Sequence, residues 1–220
     1  MKKVLGVLLT VVLIASFASA ELLTTANPIG QGKWAVLGAY SQDSDYLKPL
    51  LAGLTLTTMG GYVGYGATDK FDVYLQLGSA NVGGLPAGVS ASATGYGLNL
   101  KYAVIAEGKE LPVSVAVGGG YKSTTSKVTG QADQSGNVMS LGVGVSKLMV
   151  PFIPYGGLTY KKTTSAGTDV SSQLDLTLGS AIAWSTQGAV FAEYTMQSIT
   201  PNGGTVYTSG QMALGVGYSI

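Results

Sequence analysis

Histidine and cysteine are both absent from the 220-residue sequence. Serine hydrolysis through a histidine base, cysteine nucleophiles and His/Cys zinc sites all need one of the two. No His/Cys metal site remains and no cofactor is implied. Acid–base work would fall to carboxylates and lysines. Asp175 and Glu193 sit on neighbouring predicted strands with the same parity, which is how paired carboxyl groups begin. The plainer expectation is that they balance nearby lysines. Lys101 and Lys122 share the same inward parity on two earlier strands. Asp43 and Asp45, in "QDSDYLKP", are candidates to meet a cation or a surface ligand, with a solvated turn as the simpler account. "GGYVGYG", Gly60 to Gly66, lacks the lysine and the strand–helix setting of a phosphate loop. The expectation is a protein that is not an enzyme.

These residues are delivered by a chain that starts as an exported one. Lys2 and Lys3 precede an apolar run from Val4 to Ala15, and "ASA", Ala18 to Ala20, supplies small residues at the cleavage positions. Residues 1–20 therefore read as a secretory signal peptide. Residues 21–32 read as a periplasmic lead-in, with a small insertion into a barrel mouth as the alternative. Removing Lys2 and Lys3 from the 12 basic residues leaves 10 against 11 acidic ones, a mature net charge of −1. With only 10 % charged residues the chain does not suit nucleic acid. It also makes a poor surface for a soluble monomer.

Beyond Ala20 no helix-period segment of useful length occurs. Apolar residues alternate instead with small or polar ones, which is the period of a strand. Ten strands are predicted, at about 33–41, 50–67, 71–80, 91–106, 111–124, 137–149, 153–162, 169–183, 187–199 and 206–220. The second is expected to carry a bulge at "MGGYVGYG". Turns such as "TDK" and "WSTQ" follow the even strands. Longer polar stretches such as "TSKVTGQADQSG" and "TTSAGT" follow the odd ones. That asymmetry is typical of transmembrane barrels, with short periplasmic turns and longer outer loops.

Strand length separates a membrane barrel from a soluble sandwich. Globular strands cluster near five or six residues, whereas a tilted membrane strand needs about nine to eleven. The large residues fall on one face and Gly, Ser, Thr and Gln on the other, and mean hydropathy is +0.33. A closed antiparallel transmembrane β-barrel over residues 33–220 follows, most simply of ten strands, with eight or twelve as the neighbouring even solutions. The final strand must then pair with the first, because open edges in lipid are costly. Tyr121, Tyr194, Tyr207 and Tyr218 near strand ends, with Trp34 and Trp184, suit a headgroup belt, although tyrosine is common in any strand.

Taken together, the chain resembles a small bacterial outer-membrane β-barrel protein. In that class the last strand resembles a signal read by the barrel assembly machinery, and Gly215 and Tyr218 match it, with Ile220 standing where an aromatic residue is usual. The resemblance implies the bacterial outer membrane with both termini periplasmic, and lipid as a partner. Inside, Lys101, Lys122, Asp175 and Glu193 are the charged residues expected to face the lumen. Two outcomes stay open. The lumen is filled by their hydrogen bonds and ion pairs, or it is a narrow porin-like passage for small solutes. A surface adhesion role for the outer loops is the alternative function.

Overall fold

The computed structural model describes residues 25–43, 53–108, 111–202 and 204–220. The expected signal peptide and Asp45 lie outside these residues. Ten strands follow one another: β1 (Trp34–Asp43), β2 (Thr55–Gly66), β3 (Phe71–Gly83), β4 (Ala91–Ile105), β5 (Ser114–Val128), β6 (Gln134–Ser146), β7 (Phe152–Ser165), β8 (Thr168–Ala183), β9 (Gly188–Pro201) and β10 (Tyr207–Ser219). Each pairs antiparallel with the next, and β10 returns to β1, so the sheet is a closed barrel. Among the described residues no helix is long and apolar enough to cross a membrane. The crossing is made by strands.

The seam uses the chain to its last residue. Ala35 faces Ser219 and Gln42 faces Met212. The Trp34 amide donates to the Ile220 carbonyl at 3.0 Å, and the Ile220 amide donates to the Trp34 carbonyl at 2.8 Å. In hydrocarbon an open edge would leave such groups without partners, so the ladder has to run to the membrane boundary.

Through the middle of the wall, the outward positions are large and apolar. Leu75, Leu77, Leu141, Leu178 and Leu214 are 57–69 % exposed. Gln173, Asp175, Thr195 and Gln197, between such residues on their strands, are buried inside. Water would penalise so much exposed leucine, whereas lipid does not. An aromatic rim marks the end that carries the termini. Trp34, Tyr65, Tyr102, Trp184 and Tyr218 are all exposed there, and the Trp34 and Tyr65 rings lie 4.8 Å apart. Tyr121 and Tyr194, expected near strand ends, lie well inside β5 and β9 because those strands are longer than the sequence suggested.

At the opposite end the polarity of the wall reverses. Leu54, Leu56, Ala80, Ala91, Ala93, Val128 and Ile199 form a buried apolar cluster inside the barrel. Outward positions at this level are polar, with Thr57 opposite Asn81, Asn81 opposite Ser92, and Ser92 opposite Lys127. These strand ends have the distribution of a water-soluble protein and project beyond the apolar band.

Two local expectations change. β2 runs in unbroken register against β3 from Thr55 to Gly66 and against β1 from Leu56 to Tyr65, without the bulge foreseen at its glycines. The register shifts fall instead at Ala103/Ile105 and at Thr163/Thr164. The polar stretch "TTSAGT" is mostly strand, leaving only Ala166 and Gly167 between β7 and β8. Both have positive φ, 49° and 78°, which is the two-residue hairpin geometry that matches strand twist. The threonines on either side are good strand formers and continue the ladder. Likewise "TSKVTGQADQSG" shrinks to the short connection between Val128 and Gln134. The contrast in length between the two sets of connections is therefore weaker than the sequence implied.

Candidate functional site

The barrel lumen is the candidate site, and it is occupied at three levels. The first is the mouth at the termini. Residues 25–32 fold into it. Ala26 is 3 % exposed, and its amide donates to Ser146 Oγ at 3.0 Å. The Ile29 amide donates to both oxygens of Asp72 at 3.1 Å. Lys101 Nζ donates to the carbonyls of Asn27 at 2.7 Å and Thr25 at 3.2 Å, and Ser114 Oγ donates to Asn27 Oδ1 at 2.5 Å. The segment read as a lead-in is thus pinned by side chains from four strands. Glycines make the space. A Cβ on Gly64 would fall 2.7 Å from Ile29 Cδ1, and one on Gly66 would collide with the backbone of Gly30. That is the work of "GGYVGYG": a bare inner wall against which a second stretch of backbone lies.

The second level is a polar layer. Lys101 Nζ lies 3.0 Å from Asp72 Oδ2, with both side chains under 10 % exposed. Tyr74 OH donates to the same carboxylate at 3.1 Å, and the Lys101 ammonium lies 5.5 Å from the centre of the Tyr74 ring. Across the barrel Lys161 Nζ meets Asp175 Oδ2 at 2.6 Å, and Gln173 Nε2 donates to Asp175 Oδ1 at 2.7 Å. Tyr155 OH donates to Glu193 Oε2 at 3.1 Å. Gln76 joins Tyr62 OH to Asn99, and Gln211 joins Gln197 to Ser41. The buried Lys101 and Lys161 are tolerated because each meets a carboxylate. The third level is the apolar cluster around Leu56, which packs the outer end.

All four sequence-identified lumenal charges, Lys101, Lys122, Asp175 and Glu193, are buried in the interior. The barrel does not bring Asp175 and Glu193 together. Asp175 faces Gln197 across the β8–β9 ladder, four residues along from Glu193. At about 3.3 Å per residue that offset is roughly 13 Å, beyond the separation used by carboxylate pairs. Asp43 is the last residue of β1 and is 1 % exposed, accepting a hydrogen bond from Ser209 Oγ. It belongs to the inner wall and not to a solvated turn, because β1 continues further than its polar ending suggested. Gly215 faces inward beneath the Phe191 ring. Tyr218 faces outward and donates to Gln187 Oε1 at 2.9 Å, and Ile220 is 70 % exposed at the rim.

Sequence reasoning missed Asp72 and Lys161, the partners that define both ion pairs. The signal for Asp72 was present, since Phe71, Val73, Leu75 and Leu77 all point outward. In β7, Pro154, Gly156 and Gly157 blur the alternation that would have placed Lys161.

No family model and no curated protein matches the sequence. Solved structures do resemble it. The β domain of the Bordetella autotransporter BrkA superposes with a TM-score of 0.54 over 87 % of this chain and 100 % of its own, at 14 % identity. The translocator domain of the autotransporter NalP from Neisseria meningitidis gives 0.49 over 93 % and 92 %, at 12 % identity. Neisserial surface protein A gives 0.44 over 86 % and 97 %, at 16 % identity. The chain has the fold of an outer-membrane β-barrel. Its even strand count brings both ends of the barrel to one rim.

Proposed function

We propose that this protein is a non-catalytic structural barrel that seals the outer membrane at rest. The observation that carries this is the obstruction of the lumen: residues 25–32 held in the mouth by Asp72 and Lys101, the Lys161–Asp175 pair, and the apolar cluster around Leu56. A porin-like passage needs a continuous wetted path, and a filled interior is the other established use of barrels in membranes. Lipid is its main partner, reached by the leucine-rich outer wall. Delivery by assembly machinery through the closing strand, with Gly215, Tyr218 and Ile220, fits the same role.

Single-channel recording on the mature chain refolded into a planar bilayer tests it. The expected result is a folded, heat-modifiable barrel without discrete openings. Reproducible conductance steps, altered by Asp175→Asn or Lys101→Gln, would overturn the proposal in favour of a narrow channel.

A further inference from the structure

Beside the pinned segment the lumen is not full. A cavity of about 360 Å³ lies in the half nearest the termini, within the range of small-molecule sites. One side of its wall is apolar. Ile29 of the inserted segment, Leu37 of β1, Ile153 of β7 and Phe191 of β9 line it, and Ala181 and Ala189 leave the space that larger residues would take. Phe191 and Ala181 face one another across the β8–β9 ladder and belong to one buried cluster with Tyr155 and Tyr62. The cavity reaches the rim, where its lining includes Lys33, Thr186 and Gln187, all exposed. No aspartate or glutamate lines it.

We propose that this cavity binds a single-chain anionic amphiphile, entering from the periplasmic rim. The tail lies between Leu37, Ile153 and Phe191, and the anionic head meets Lys33. Three features specify the class. The apolar side of the wall offers an alkyl chain dispersion contacts and no hydrogen bond to lose, while a polar solute would give up its water there. At about 360 Å³ the volume lies at the small end of ligand pockets, roughly 300–1,000 Å³. That is room for one chain of medium length, not a two-chain lipid. At the mouth a lysine without a carboxylate among the lining residues favours an anion through charge-assisted hydrogen bonds. The site borders the polar layer at Tyr74, Lys101 and Tyr155 but needs no path past the Lys161–Asp175 pair, so it stands whether or not the lumen conducts.

The alternation of the wall gives the test its readout. The mature chain is refolded into phosphatidylcholine vesicles, exposed to decanoate carrying a terminal diazirine, irradiated, and mapped by mass spectrometry. Probe dissolved in the bilayer labels outward residues such as Val36, Ile182 and Val190. Probe in the cavity labels the inward Leu37, Ile153 and Phe191. Inward adducts are expected, reduced about tenfold by Ala181→Phe and, as an independent filling of the same space, by Ala189→Phe, with outward adducts unchanged. Lys33→Gln is expected to lower inward labelling severalfold, and a neutral diazirine decanol to label inward residues as weakly. Adducts confined to outward residues, or inward adducts untouched in whichever filled variant folds, would overturn the site. Equal inward labelling by decanol would overturn the anionic head.

Discussion

The two ends of each strand obey the same alternation with opposite meaning. In the central band Leu176 and Leu178 face out while Asp175 and Thr177 face in. Beyond it, Ile199 faces in and Ser198 and Thr200 lie on the outer side. One stretch is solvated by lipid and the other by water, so the residue that must be hidden changes sides. Strand periodicity follows from the backbone pleat and is blind to this. Solvent sets which face is apolar, and the switch along a strand marks where the membrane ends.

That comparison can be broken by substitution, and the largest effect is expected in the polar layer. Asp175→Leu leaves Lys161 without the carboxylate 2.6 Å away. It should destabilise the barrel by about 3–5 kcal/mol, measured by urea unfolding in vesicles. If stability is unchanged, the ion pair is not part of what holds the lumen closed.

Next comes the lipid-facing wall. Leu176→Lys places a charge in the apolar band and should cost about 2–4 kcal/mol near its midplane, seen as a lower folded fraction on insertion. A neutral result would show that β8 has been assigned the wrong outward face.

Leu56→Ala probes the opposite regime, since Leu56 is 1 % exposed inside the outer cluster. A loss of about 2 kcal/mol is expected, at the low end for a core leucine, because the cluster sits at the barrel's end. The same denaturant titration reads it.

The smallest effect is the sharpest control. Asn81→Lys adds a charge at an outward position, as Leu176→Lys does, but beyond the band. It should stay within about 0.5 kcal/mol, as surface substitutions do. A cost like that of Leu176→Lys would mean that lipid reaches further up the barrel than the polarity switch indicates.

Much of the wall was legible. The parity of Leu98, Leu100, Tyr102 in β4 and of Val113, Val115, Val117 around β5 places Lys101 and Lys122 inside. Less was legible where the chain's chemistry is ambiguous. Thr163–Ser165 and Thr168 look like loop by polarity, yet their outer positions are wet, so polar residues extend the strands. Asp43 was misplaced for the same reason. Partners were harder still. Lys101 and Asp72 are 29 residues apart and meet because β3 and β4 place them opposite one another, which depends on register.

The sequence by itself determined the strand period, the even count that returns both ends to one rim, and the lack of histidine or cysteine chemistry. These follow from local residue types and spacing. Only the tertiary structure decided that Asp72 and Lys161 pair with Lys101 and Asp175 inside the barrel, that residues 25–32 lie against Gly64 and Gly66, and that alanines on β8 and β9 leave a cavity beside Phe191. Each of those depends on how the closed barrel sets distant strands at one height, and closure is a property of the whole ladder.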